Sequence, residues 1–172
     1  MVSDCFSGTA MKIPGSISEE HAHLHEVLER AIDEQGALGS AAREVMKALA
    51  PHFEKEEAFA LPPLGMLTLT GEEVKEDLLE VISLTDRLAV EMPRMVEEHA
   101  VIVKALDVLS QRAAEAGKMD YVSFAQDLKH HARMEEEVLY PASLLVGAYL
   151  RLWRGGGVRL IPRILAGFIP LG

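Results

Sequence analysis

The sequence predicts an all-α protein, an up-down-up-down bundle of four helices in which prolines kink the longer helices and an apolar, basic tail follows. Three observations predict it. Ala, Leu, Glu, Lys and Met dominate, and these residues favour helix. Val, Ile and Thr do not fall into the alternating runs of strands. Glycines and prolines cut the chain into four long segments joined by short connections, the spacing of antiparallel neighbours. At 172 residues the chain suits one domain with a real core, and at 49% apolar but only 5% aromatic content that core is aliphatic and methionine-rich.

Residues 1–15 read as a loose lead-in that ends at Pro14-Gly15. The first helix starts near Ser16 or Ser18, since Ser16 with Glu19 has capping-box spacing, and it stops at Gly36 after about Gln35. The second runs from about Ser40 to Ala60, kinked at Pro51 and ended by Pro62-Pro63 and Gly65, with 64–71 as connection. The third extends from Gly71 to Gly117, with Pro93 marking a bend or two helices end to end. The fourth begins at Asp120 as N-cap, passes Pro141 and reaches about Trp153, where Gly155-Gly156-Gly157 breaks it. The bundle thus spans 16–154 and the tail 155–172.

Charge narrows the partners. The net charge is −10, and since the last 31 residues hold four arginines and no acid, the other 13 cations face all 27 acids. That argues against nucleic acid. No stretch approaches the roughly 20 apolar residues of a membrane span, and the tail is the only candidate for a membrane or partner surface; its simpler reading is a segment folded over the bundle. The single Cys5 excludes an intramolecular disulfide, and the first residues lack a signal peptide's basic start and apolar run, so a cytoplasmic setting is expected.

The chemistry lies in a duplication. Glu20-His21-Ala22-x-Leu24-x-x-x-Leu28 is matched by Glu98-His99-Ala100-x-Ile102-x-x-x-Leu106. Downstream, His52-x-x-x-Glu56-Glu57 leads to Leu61-Pro62 as His131-x-x-x-Glu135-Glu136 leads to Tyr140-Pro141. On a helix, positions four apart point the same way within about 40°, one turn apart. His52 therefore shares a face with Glu56, and His131 with Glu135. Glu57 and Glu136 fall about 140° away, toward solvent or an outer ring around the site. Leu24 and Leu28 turn His21 inward, and Ile102 and Leu106 do the same for His99. Gly36 sits midway between His21 and His52, and Gly117 close to midway between His99 and His131. Each hairpin sets a His level with a His-x-x-x-Glu, so packing the two together gathers four imidazoles and two carboxylates at one height.

Buried carboxylates beside buried imidazoles are expensive without a compensating charge, which a pair of metal ions supplies. A nitrogen and carboxylate set without thiolate suits iron or manganese better than zinc. His25, four after His21, is the candidate for a fifth histidine, open between ligand and packed core residue; His23 and His130 read as surface residues.

The order His21, His52-x-x-x-Glu56, His99, His131-x-x-x-Glu135, with Pro51-His-Phe-Glu-Lys-Glu-Glu and Glu-Glu-Val-Leu-Tyr-Pro141 around it, resembles the hemerythrin-like, HHE cation-binding family over roughly residues 17–150. The resemblance implies two iron ions held by His21, His52, His99 and His131, bridged by Glu56 and Glu135 and by an oxo or hydroxo group. Oxygen-carrying hemerythrins show His-x-x-x-His where this chain has His-x-x-x-Glu, which points away from simple oxygen carriage. Open positions on a redox metal imply a ligand such as oxygen, peroxide or nitric oxide. The expected function is a non-haem di-iron protein that binds, senses or reacts with such a ligand. The alternatives are an iron sensor or store without turnover, and a helical scaffold whose site is empty or holds zinc. No separate acid, base or nucleophile constellation stands out, and an enzymatic role and the oligomeric state are left open.

Overall fold

The computed structural model describes residues 12–68 and 78–155, and these are helical throughout apart from turns. The early lead-in with Cys5, the expected start of the third helix at Gly71 and the tail beyond Gly155 lie outside them. The helices are α1 (Gly15–Ile32), α2 (Ala37–Lys55), α3 (Pro62–Gly65), α4 (Leu78–Glu115), α5 (Met119–Met134) and α6 (Tyr140–Arg154). Two five-residue π-helical turns, π1 (Glu56–Ala60) and π2 (Glu135–Leu139), follow α2 and α5 directly. α1 packs on α2 and α5, and α4 packs on α2, α5 and α6. No helix among the described residues is long and apolar enough to cross a membrane.

Both hairpin glycines perform as their positions predict. Gly36 and Gly117 have φ of 74° and 70°, a region that L side chains enter at a cost. At the end of α4, Lys118 N–H donates to the Ala113 carbonyl and Gly117 N–H to that of Ala114, the paired bonds of a Schellman motif. Several expected boundaries are corrected. Neither Ser16 nor Ser18 caps α1, which starts at Gly15 after Pro14 and ends at Ile32. α2 starts at Ala37, three residues before Ser40, with Gly36 at its N-cap. Lys118 holds the N-cap position of α5, and Asp120 falls inside its first turn. The Pro62-Pro63 pair opens α3 rather than a loop, because a proline at the first helical position loses no hydrogen bond. α4 passes through Pro93 as one helix of 38 residues, not two.

The apolar core is layered. Leu24, Leu28, Leu49, Leu106, Leu109 and Leu128 belong to one cluster between α1, α2, α4 and α5. Phe59, Ala60, Leu88, Met95 and Tyr140 form a second, and Met66, Leu78, Val81, Val146 and Leu150 a third. In sequence, the first cluster follows His21 and His99 and mostly precedes His52 and His131, and the second follows His52 and His131 and precedes His99. A polar layer therefore divides the core.

α6 approaches α4 closely through Gly147, where an added Cβ would stand 2.0 Å from Thr85 Oγ1. Thr85 is buried and donates to the Ile82 carbonyl, so it has little room to yield. Gly147→Ala should destabilise the fold by about 1–3 kcal/mol, the usual cost of overpacking. Urea denaturation of the variant beside the parent chain measures it, and an unchanged midpoint would show that α4 and α6 part freely.

Candidate metal centre

His21, His52, Glu56, His99, His131 and Glu135 are each at most 4% exposed, and they meet in the polar layer. α1 supplies His21, α2 His52, α4 His99 and α5 His131, while Glu56 and Glu135 are the first residues of π1 and π2. The sequence brought these six together by spacing alone, and the structure places them at one level.

The inner carboxylates each reach to both sides of the layer. Glu56 Oε1 lies 3.1 Å from His52 Nε2, and its Oε2 lies 3.8 Å from His21 Nε2. Glu135 Oε1 lies 2.9 Å from His131 Nε2 and 3.6 Å from His21 Nε2, with Oε2 3.3 Å from His99 Nε2. Two donor groups result. His52, Glu56, His99 and Glu135 form one; His21, His131 and Glu135 form the other, with Glu135 common to both. Either group has the donors to hold a metal ion.

A second ring of acids lies outside the first. Each imidazole turns Nε2 inward and Nδ1 toward an outer carboxylate. His21 Nδ1 is 3.5 Å from Glu57, His52 Nδ1 3.0 Å from Glu98, His99 Nδ1 2.7 Å from Glu136, and His131 Nδ1 3.2 Å from Glu20. Of the two readings open for Glu57 and Glu136, Glu136 joins the outer ring by a hydrogen bond to His99, while Glu57 stands beside His21 and is also exposed to solvent. Glu20 and Glu98 were visible in the repeat as the residues before His21 and His99, but their role depends on contacts across the helix pairs. The ring follows the duplication, with Glu57 and Glu136 serving the histidine of their own half and Glu20 and Glu98 that of the other. Lys55 and Arg94 in turn pair with Glu98. An acid on Nδ1 fixes the ring's orientation and makes Nε2 the better electron donor.

Burial and charge set the protonation of the layer. Burial raises Glu56, and the charge of Glu135 adds to it, against hydrogen bonds from His52 and Tyr140. Burial acts on Glu135 too, but contacts with His131, His21 and His99 outweigh it and hold that carboxyl well below the usual range. Burial disfavours the imidazolium of His131, yet Glu135 beside it brings that group up to about 9. Tyr140, fully buried, donates its hydroxyl to Glu56 Oε1, and burial with the flanking carboxylates pushes its pKa far up.

Some atoms of the layer find no hydrogen bond. They are both nitrogens of His21, His131 Nε2, Glu56 Oε2 and Glu135 Oε1. Four of these atoms belong to the His21–His131 side and converge there. Buried polar atoms left unsatisfied are rare and costly, so a cluster of four acceptor-capable atoms fits a cation. The donor chemistry fits as well: imidazole with carboxylate, no thiolate.

His25 is not part of this set. It is 47% exposed and its Nδ1 lies 3.5 Å from Glu29 on the next turn of α1. Taking His21 as reference, Leu24 sits at about −60° and Leu28 at about −20°, so the inward direction lies on their side; His25, at about +40°, is carried out to the edge of α1. His23 and His130 are exposed, as expected.

Tyr140 stood in the repeat only as the residue before Pro141, and its place at the layer was missed for a geometric reason. In a regular helix, a residue nine after His131 points about 180° away from it. The π-turn absorbs one extra residue and moves everything beyond it back by about 100°, which swings Tyr140 under the layer. Leu61 N–H bonds the Glu56 carbonyl at 2.9 Å, and Tyr140 N–H bonds that of Glu135, both five residues back. The following proline, Pro62 or Pro141, has no N–H and crowds the carbonyl a turn below, so the helix widens just before it. The duplicated proline was the sequence signal for both turns.

The outer acids lend themselves to test. Glu98→Gln and Glu136→Gln each should weaken binding of a divalent metal by about 10–100-fold, the usual effect of losing an acid on a ligating imidazole. Competition against a chromophoric chelator measures it, and unchanged affinity in both variants would assign the ring to packing alone. Comparison of the chain with protein-family models, with curated proteins and with solved structures finds no match.

Proposed function

We propose that this chain is a non-haem di-iron protein of hemerythrin-like design, whose metal pair binds, senses or reacts with oxygen, peroxide or nitric oxide. The observation that carries the proposal is the convergence of unsatisfied nitrogens and oxygens from four helices on one buried layer. The contacts of α1 with α2 and α5, and of α4 with the same two, close a ring of four helices around it, as a four-helix bundle requires.

His52 and His99 would hold one ion and His21 and His131 the other, each through Nε2. Glu56 and Glu135 would bridge, since each directs one oxygen to either side. Six donors without sulfur favour iron, or manganese, over zinc. When bound, an iron pair supplies redox-active Lewis-acid positions at which a small oxidant or diatomic ligand can bind. The protein's own part is orientation and exclusion. Glu98 and Glu136 hold the His52 and His99 rings by hydrogen bonds, Phe53 stacks on His21, and apolar layers on both sides keep bulk water from the centre. The Tyr140 hydroxyl donates a hydrogen bond to Glu56 Oε1 and so fixes which way that carboxylate turns.

A second reading, an iron sensor or store without turnover, is favoured by the origin of the donors. They come from every helix of the ring, so occupancy and folding are coupled. One preparation separates the two. Protein purified without oxygen should contain two irons per chain and develop near-ultraviolet and visible absorption on exposure to air. Rapid peroxide consumption assigns a reactive centre; a large rise in Tm on iron loading without consumption assigns a sensor. Glu56→Ala and Glu135→Ala should each lose most of the iron by elemental analysis. Full occupancy in both variants would refute the bridging roles.

A further inference from the structure

A cleft of about 340 Å³ opens between α1 and α2, and His21 lies in its wall. Phe53, stacked face to face on the His21 ring with centroids 4.1 Å apart, lines it as well. His25, Glu54 and Glu57 are exposed residues of its lining. The His21 imidazole is 3% exposed and neither of its nitrogens has a hydrogen-bond partner. One nitrogen, Nδ1, stands 3.5 Å from Glu57 of the cleft, and the other, Nε2, stands 3.8 Å from Glu56 and 3.6 Å from Glu135 in the buried layer. A single ring therefore connects the cleft with the centre.

The duplication shows that this cleft is particular to one half. Ala22 and Ala50 leave its space open on the two helices. Aligned on the histidines, the counterpart of Ala50 is Lys129, that of Glu54 is Arg133 and that of His25 is Val103. Small, acidic and imidazole side chains on the first hairpin thus stand where the second has two cations and a valine. Lys129 is moreover tied across to Asp107 at 2.5 Å. Two hairpins of common design have kept the same inner residues and differ at these three outer positions, where Glu54 is replaced by the opposite charge of Arg133.

We infer that the α1–α2 cleft is a capture site and access route for a divalent cation, which Glu54, Glu57 and His25 attract and His21 passes to the buried layer. The inference rests on the metal reading above. Carboxylates at the mouth of a narrow cleft raise the local cation concentration and the on-rate, by about 10-fold or more. The second hairpin has Arg133 in place of Glu54, and its Lys129 is already paired with Asp107, so that face lacks this carboxylate. Loading is thereby confined to the His21–His131 side, where the unsatisfied donor atoms lie.

Stopped-flow uptake of Co(II), followed by its visible absorption in the metal-depleted full chain, tests this. Glu54→Arg, the charge of the second hairpin, should slow uptake about 10-fold, and Ala50→Leu should slow it by filling the space without a change of charge. Both should reach the parent's final cobalt content, because neither residue touches the buried layer. Glu44→Arg, the same charge change on the exposed face of α2 away from the cleft, should load at the parent's rate. Cleft variants that load as fast as the parent, or a Glu44→Arg variant slowed as much as Glu54→Arg, would overturn the route while leaving the metal reading intact. A parent chain that takes up no cobalt overturns both.

Discussion

Two carboxyl groups with almost no exposure lie among four buried imidazoles, and the rest of the molecule is arranged around that arrangement. Ionised carboxylates cannot remain in an apolar core without positive charge close by. Protons can supply part of it, which is why Glu56 is driven up and His131 is held near 9. They do so imperfectly. Donor atoms on the His21–His131 side stay without a hydrogen bond, and the two acids split into one pushed up and one pushed down. Cations would meet the same demand at every inner atom at once. The layered core, the two glycine turns and the outer acids are then parts of one device that brings the six side chains level and turns their donor atoms inward.

Much of this was legible because it depends on helix period alone. A spacing of four puts His52 with Glu56 and His131 with Glu135, whatever the tertiary structure. A glycine near the midpoint of each hairpin sets the register without reference to the other hairpin. What escaped depends on departures from the period or on contacts between helices. The π-turns change the phase of everything after Glu56 and Glu135, so Tyr140, which regular geometry turns outward, is buried. Ser143, Val146 and Leu150 follow it onto the same inward face. The pairing of Glu20 with His131 and of Glu98 with His52 crosses between halves and has no fixed spacing. His25 was misjudged by an angle of less than one residue, and neither serine caps α1, because the helix starts at Gly15 with Pro14 in the N-cap position and both serines fall inside it.

The π-turns also explain how one helix can serve two layers. In a regular helix running from His52 through Pro62, the proline would meet the carbonyl four residues back. Widening the turn before the proline removes that conflict and leaves the first residue of the wide turn, Glu56 or Glu135, as the inward acid. A local defect thus falls where the carboxylate is needed, which fits the general association of such turns with functional sites. The same phase shift gives the helix beyond it a fresh apolar face, from Tyr140 to Leu150, that packs on α4.

Similarity between the halves is closest at the inner atoms and fades outward, and the fading is informative. The four histidines, the two inner acids and the four outer acids follow the repeat. One step further, Tyr140 faces Leu61 as its counterpart, and Phe53 faces Ala132. Only one half therefore brings a hydroxyl to an inner carboxylate, and only one stacks a phenyl ring on its histidine. A layer built for charge compensation alone has no need of such differences, since symmetric surroundings would balance two equal ions equally well. Unequal surroundings make the two donor groups chemically distinct: the His52–His99 side has a proton donor at hand, and the His21–His131 side has unsatisfied donors and a cleft beside it. If the layer holds a metal pair, this inequality would give its two positions different tasks, which chemistry at a pair uses and storage does not require.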